Sequence, residues 1–176
     1  MGRLTAIRNG HIAEELRKLD VGAGAYKDDG YLTLDISPVF SPDFEHDITQ
    51  FPWPFPDASM SDVRCLHVLE HLERKHLVPV MNEMHRILAP GGVLEIEVPI
   101  FPYWTAIADP THVSFFVPQT FSYFCDMQSY TKIMRGATIM VDHSDHRKLY
   151  DIKEWRLVKA FRDEMGSLLR VKMEKP

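Results

Sequence analysis

Lys18-Leu19-Asp20-Val21-Gly22-Ala23-Gly24, followed by Leu32-Thr33-Leu34-Asp35, decides the fold of this chain. An apolar run enters a turn of small residues, and a second short apolar run ends on an acid. In a parallel α/β sheet both carboxyl ends open on one crevice, where nucleotides bind. Glycine lets backbone approach a ligand closely, and an acid closing the second strand accepts ribose hydroxyls. The pattern predicts an adenosine-containing cofactor.

Working outward, strands are expected at 16–21 and 31–36, with a short third near 45–48 and a fourth over 62–68. Leu77, Met81, Met84 and Leu88 recur at three- and four-residue spacing, which predicts an amphipathic helix over 74–88. Pro79 marks a kink or the true first turn of that helix. Ala89-Pro90-Gly91-Gly92 ends it, and 93–98 follows as a strand in which Leu94, Ile96 and Val98 alternate with Glu95 and Glu97. Upstream, Ile12 and Leu16 at i, i+4 predict a short helix over 7–16. Phe51-Pro52-Trp53-Pro54-Phe55-Pro56 lacks an N–H at every second residue and reads as a rigid cover over a sheet edge. Glu70 and Glu73 read as solvated acids at a helix start, where the macrodipole favours them. After Pro99 the chain is irregular and aromatic, and Pro118-Gln119-Thr120-Phe121 looks like a helix start. Segments 137–141, 155–161 and 168–173 read as strands, the last two antiparallel across a short link.

At 176 residues, 45% hydrophobic and 26% charged, the chain is expected to be one globular domain over 1–176. A net charge of −5 without a basic block leaves no electrostatic footprint for nucleic acid. Cys65 and Cys125 stand in no metal-ligand spacing and read as buried thiols of a reducing compartment. No run approaches the ~20 apolar residues of a membrane span. The start of the chain holds Arg3, Arg8, Glu14 and Glu15 and no apolar signal core, so a cytoplasmic protein is expected. His143, Asp145 and His146 cluster in a polar stretch over 142–148 that reads as a surface loop. No metal is expected.

With these pieces in order, the sequence resembles class I S-adenosylmethionine-dependent methyltransferases, particularly the compact type 11-like group. The resemblance rests on Leu19-Asp20-Val21-Gly22-Ala23-Gly24, Leu34-Asp35-Ile36, His46-Asp47-Ile48, His67-Val68-Leu69-Glu70-His71-Leu72 and Arg86-Ile87-Leu88-Ala89-Pro90-Gly91-Gly92. It implies an α/β, Rossmann-like, mostly parallel seven-stranded sheet with antiparallel C-terminal strands. It also implies S-adenosylmethionine as cofactor, with backbone at Gly22, Ala23 and Gly24 near its methionine end and Asp20 near the ammonium group. Asp35 would take the ribose hydroxyls, Ile36 would pack on adenine, and Asp47 would accept the adenine amino group beside Ile48. His67 would line the cleft near the sulfonium, and Pro90-Gly91-Gly92 would be a structural turn.

One departure stands out. Only nine residues, 22–30, separate the first two strands, and Asp35 follows Gly24 by eleven positions. A dinucleotide fingerprint places its acid about 20 residues on, which disfavours a nicotinamide oxidoreductase. Nine extended residues reach ~30 Å and a return past a six-residue strand needs ~20 Å, so the connection closes without a full helix. The first crossover helix is therefore expected to be a loop or one turn. The methionine carboxylate then loses a helix-terminus field worth ~0.3–1 kcal/mol, and modest affinity is expected. The bared face of the first strands needs a cover from the 7–16 helix, the Phe51–Phe55 segment or a second subunit in a homodimer.

Methyl transfer is an in-line displacement in which positioning does most of the work, helped by a base where the acceptor carries a proton. His112, in Asp109-Pro110-Thr111-His112, is the first candidate base because it follows the fifth strand, where the family builds acceptor sites. His71 is the second. Tyr103, Trp104, Phe115 and Phe116 are candidate walls of an acceptor pocket. The acceptor is expected to be a small molecule. The alternative is a protein that binds S-adenosylmethionine or S-adenosylhomocysteine without transferring the methyl group, as a regulatory or partner subunit.

Overall fold

The structure, a computed structural model, describes residues 6–8, 11–13, 16–133 and 144–176. Its body is one seven-stranded sheet. Strands β3 (Arg17–Val21), β4 (Tyr31–Asp35), β5 (Phe44–Glu45), β6 (Met60–Leu66), β7 (Leu88–Pro99), β8 (Arg156–Arg162) and β9 (Leu168–Glu174) lie in the order β5-β4-β3-β6-β7-β9-β8. Every pairing is parallel except those of β9 with β7 and β8. The strand order reverses between β4 and β6 about β3, and a crevice opens where strands diverge at such a point.

The link from β3 to β4 contains no helix, as its length requires. Helix α1 (Arg74–Ile87) continues through Pro79 and buries Leu77, Val80, Met81, Met84 and Ile87. Helices α2 (Trp104–Ile107), α3 (Met127–Ile133) and α4 (Ser144–Leu149) follow β7. The polar stretch expected as a loop is thus α4, whose Arg147 is buried against Glu154 at 2.6 Å and the Cys125 carbonyl at 2.9 Å. Both cysteines are buried free thiols, and burial pushes each thiol up from its ordinary range. The strand expected at 137–141 and His143 lie outside the described residues. The helix expected over 7–16 is not formed. Instead β1 (Ala6–Arg8) pairs antiparallel with β2 (His11–Ala13). The sequence between them, Asn9-Gly10, is the strongest short hairpin signal and outweighs one i, i+4 apolar pair.

Alternation sorts the sheet into two unlike faces. Val21, Cys65, Ile96, Val171 and Ala160 stand in register across β3, β6, β7, β9 and β8, beside Leu19, Val63, Leu94, Met173 and Leu157. These side chains share one core with α1, Trp53, Phe55, Phe116, Phe121 and Trp155. Trp53 and Phe55 of the Phe51–Phe55 segment are therefore part of the core, while Phe51 is exposed, and the Trp53 backbone N–H donates to Glu83 Oε1 at 2.6 Å. On the opposite face Asp20, Arg64, Glu95 and Lys172 fall in register, a row of alternating charge across four strands. Opposite charges facing each other across strands are favourable. At β3 this face is satisfied by ion pairing, where an apolar cover was expected. Among the described residues no helix is long and apolar enough to cross a membrane.

Candidate functional site

Gly22 follows β3 directly, at φ +68°, and its N–H donates to the Leu34 carbonyl at 2.7 Å. A Cβ added there would lie 2.3 Å from Val68 Cγ2, so the ends of β3 and β6 approach as closely as they do only because residue 22 has no side chain. Gly24 N–H donates to Asp35 Oδ2 at 2.9 Å, and Ser37 N–H donates to Asp35 Oδ1 at 2.8 Å. Asp35 thus clamps the small-residue turn to the end of β4, while each carboxylate oxygen keeps a further lone pair.

Gly22, Asp35, Ile36, His46, Asp47, Ile48, His67, Val68, His71 and Leu72 wall a hollow of about 220 Å³ at the reversal point. Ile36 stands 65% exposed, an apolar surface left for something to cover. Asp47 Oδ1 accepts both the backbone N–H and the hydroxyl of Thr49 at 2.8 Å, and these bonds hold its carboxyl below the usual range. The Ile48 carbonyl accepts the Trp53 indole N–H at 3.0 Å, which ties this wall to the core. Ala23 and Gly24 form the turn behind Gly22 and do not wall the hollow.

Asp20 is placed differently from the expectation. It falls on the polar face of β3 and meets Arg64 Nη2 at 2.6 Å. Arg64 also pairs with Asp28 and lies over the Tyr31 ring at 4.3 Å. Burial pushes the Asp20 carboxyl up, and Arg64 opposes that shift. Asp20 walls neither hollow. The alternation Leu19-Asp20-Val21 already carries this information, since the two apolar neighbours face the core.

His67 is shared with a second, larger hollow of about 510 Å³, also walled by Pro99, Trp104, Thr105, Ala108, Asp109, Pro110, His112 and Leu168. Of the four aromatics expected here only Trp104 takes part. Phe116 is fully buried in the core, and Tyr103 and Phe115 lie outside this wall. His67 sits at φ +57°, a backbone conformation that non-glycine residues rarely adopt and that clusters at functional sites. The Glu70 carboxylate, 3.4 Å from Nδ1, and that of Glu97, 2.8 Å from Nε2, hold its imidazole above the ordinary range. Glu97 is itself buried and also pairs with Arg170.

His71 and His112, chosen from separate stretches of sequence, come together: their rings lie edge to face, with centroids 4.9 Å apart. Glu70 departs from the sequence reading. It belongs to a short 3-10 turn, Leu69–His71, and is 1% exposed. Its backbone carbonyl accepts the N–H groups of Val113 (2.9 Å) and Ser114 (3.0 Å), which fold the Asp109–Ser114 loop over it. A contact so distant in sequence leaves no local signal. Glu73, in contrast, is exposed as expected.

Residues 19–96 match the model of a family described as a methyltransferase domain. No curated protein matches the chain. Among solved structures, a SAM-dependent methyltransferase from Archaeoglobus fulgidus is 16% identical, with 91% of this chain and 86% of that chain covered and a TM-score of 0.58. One from Aquifex aeolicus is 11% identical, covering 92% and 82% with a TM-score of 0.58. The N-methyltransferase NodS from Bradyrhizobium japonicum, solved with S-adenosyl-l-homocysteine, is 13% identical, covering 92% and 78% with a TM-score of 0.57. The chain thus resembles class I, type 11-like methyltransferases in its matched segment and in its fold.

Proposed function

We propose that this chain binds S-adenosylmethionine at the reversal point of its sheet and transfers the methyl group to a small acceptor in the adjoining hollow. The observation that supports it best is the pair of hollows that share His67, one walled by Gly22, Asp35 and Asp47, the other by His112. The residues fit a nucleoside. Gly22 brings bare backbone to the wall, Ile36 presents bare apolar surface, and two carboxylates stand at separate points of the wall. When bound, the cofactor supplies an electrophilic methyl group on a sulfonium.

In this reading Asp35 accepts the ribose hydroxyls, Ile36 and Ile48 flank the adenine, and Asp47 accepts its amino group. Gly22 brings backbone to the methionine end, with Ala23 and Gly24 as the turn behind it, and His67 stands between cofactor and acceptor. Asp20 acts through Arg64 and the sheet rather than by touching the ammonium group. His112 Nδ1 lies 3.2 Å from the Ala106 carbonyl, to which it donates, so Nε2, 3.8 Å from Asp109 Oδ2, carries the lone pair that would receive a proton from the acceptor. His71 stands beside it. A net charge of −5 with no basic block in the sequence favours a small molecule over nucleic acid.

A binding-only role is the second reading, favoured by the commitment of Asp20 to Arg64 and by the helix-free first crossover. The test is formation of S-adenosylhomocysteine across a panel of hydroxyl and amine acceptors. Methyl transfer predicts turnover that falls about 10²- to 10⁴-fold in His112→Ala or His71→Ala, the usual contribution of a positioned base. Turnover intact in both variants, with cofactor still bound, contradicts the assignment. Tight binding with no product on any acceptor favours the binding-only role.

A further inference from the structure

One cluster holds a buried carboxylate, Glu70, that faces the His67 imidazole yet accepts no hydrogen bond. Glu70 is 1% exposed, and neither of its carboxylate oxygens has a hydrogen-bond partner; His67 Nδ1 lies 3.4 Å from Oε1. Leaving a buried carboxylate this poorly satisfied is costly. One potential ligand atom from each of Glu70, His71 and His112 lies within 4.8 Å of the others. We infer that these three side chains form a site for a divalent transition-metal ion, between the hollow that His71 walls and the one that His112 walls.

The surroundings present the two imidazoles as ligands. Thr111 Oγ1 donates to Asp109 Oδ1 at 2.6 Å, so toward His71 Nδ1, 3.1 Å away, it can only accept. That fixes the proton on Nδ1 and leaves the Nε2 lone pair of His71 free. The Ala106 carbonyl does the same for His112. A hydroxyl or carbonyl behind each ring is the usual support of a metal-bound histidine. Two imidazoles and one carboxylate suit zinc with an open fourth position, or a 2-His-1-carboxylate iron site. Three ligands of one tetrahedral ion stand about 3.4 Å apart, so binding draws this trio inward by roughly 1 Å. The sequence hides the site because its members come from a turn and a loop that only the fold joins.

The cluster argument stands without methyl transfer; only its consequence rests on that reading. There, the ion would hold an acceptor oxygen and favour its deprotonated form, so that His71 and His112 act by ligation rather than as free bases. The test uses the whole chain stripped with EDTA and titrated with ZnCl2 by calorimetry and with CoCl2 by visible absorption. The inference predicts one saturable equivalent and cobalt ligand-field bands. Affinity falls at least about 100-fold in His71→Ala and His112→Ala, beyond the 10- to 100-fold typical of a lost supporting partner. It is unchanged in His76→Ala. Thr111→Val, with a lost supporting partner, is expected to weaken binding about 10- to 100-fold. His71 is exposed, so its variant is expected to fold, and circular dichroism checks this. No saturable binding, equal affinity in wild type and both histidine variants, or an adventitious ion only overturns the inference. S-adenosylhomocysteine binding is measured on the same stripped protein. Cofactor binding without metal binding defeats the metal site alone, and metal binding without cofactor binding defeats the methyl-transfer reading alone.

Discussion

A single methyl group at Gly22 tests how closely the ends of β3 and β6 must approach. Gly22→Ala puts a Cβ into Val68 and forces a side chain into φ +68°. The expected outcome is a loss of S-adenosylhomocysteine affinity of at least about tenfold, roughly 1.4 kcal/mol, together with a lower melting temperature. Calorimetric titration and thermal melting measure the two separately. At this scale the turn at Gly22 and the strand-end position of Asp35 are legible, because turn chemistry and a strand-end acid are local signals. Asp20 carried the same local signal and was over-read. Its neighbours Leu19 and Val21 face the core, so its carboxylate turns to the opposite side and meets Arg64. Glu70 was not legible, since its burial comes from the Val113 and Ser114 backbone closing over it.

Elements were read best where periodicity was long. Helix α1 comes through within one residue, and β7 holds the expected alternation but begins at Leu88, taking in the Ala89–Gly92 stretch expected as a turn, whereas α4 has almost no apolar face to detect. Helix α1 also supplies a pH test. His85 packs edge to face on Trp155, with centroids 5.0 Å apart, and burial pushes its imidazole down to about 4. The unfolded chain takes up this proton below about pH 6.5, the folded chain only near pH 4. Stability from His85 is therefore full above pH 6.5 and falls as pH drops from 6.5 to 4. The full shift corresponds to about 3 kcal/mol, which partial exposure reduces to about 1–2. Denaturant unfolding of wild type and His85→Leu across that range should show the difference between them shrinking or reversing as pH falls; a constant difference contradicts the assignment. Across the sheet, Arg64→Ala strands the buried Asp20 carboxylate and should cost about 2–4 kcal/mol. Asp20→Asn/Arg64→Met together should cost less than the two single changes added, as a double-mutant cycle would report.

For the whole molecule, the mostly parallel sheet has one core face and one face of ordered charge, an uncommon arrangement for parallel strands. It follows from the shortness of the first crossover: its nine residues, 22 to 30, supply no helix to cover β3 and β4. Length alone makes this legible in the sequence. The polar row that replaces the cover was not, because it depends on the register of four strands. Its consequence is that the crevice at the reversal point is shaped by loops: the Gly22–Gly24 turn clamped by Asp35, and the Asp109–Ser114 loop held on Glu70. The account stands on that crevice accepting a sulfonium nucleoside. Calorimetric titration of S-adenosylhomocysteine into wild type and Asp35→Ala tests this directly. The account predicts one saturable site, weakened at least about tenfold in the variant. No saturable heat with S-adenosylhomocysteine or S-adenosylmethionine while NAD binds, or equal affinity in a well-folded Asp35→Ala, would contradict it.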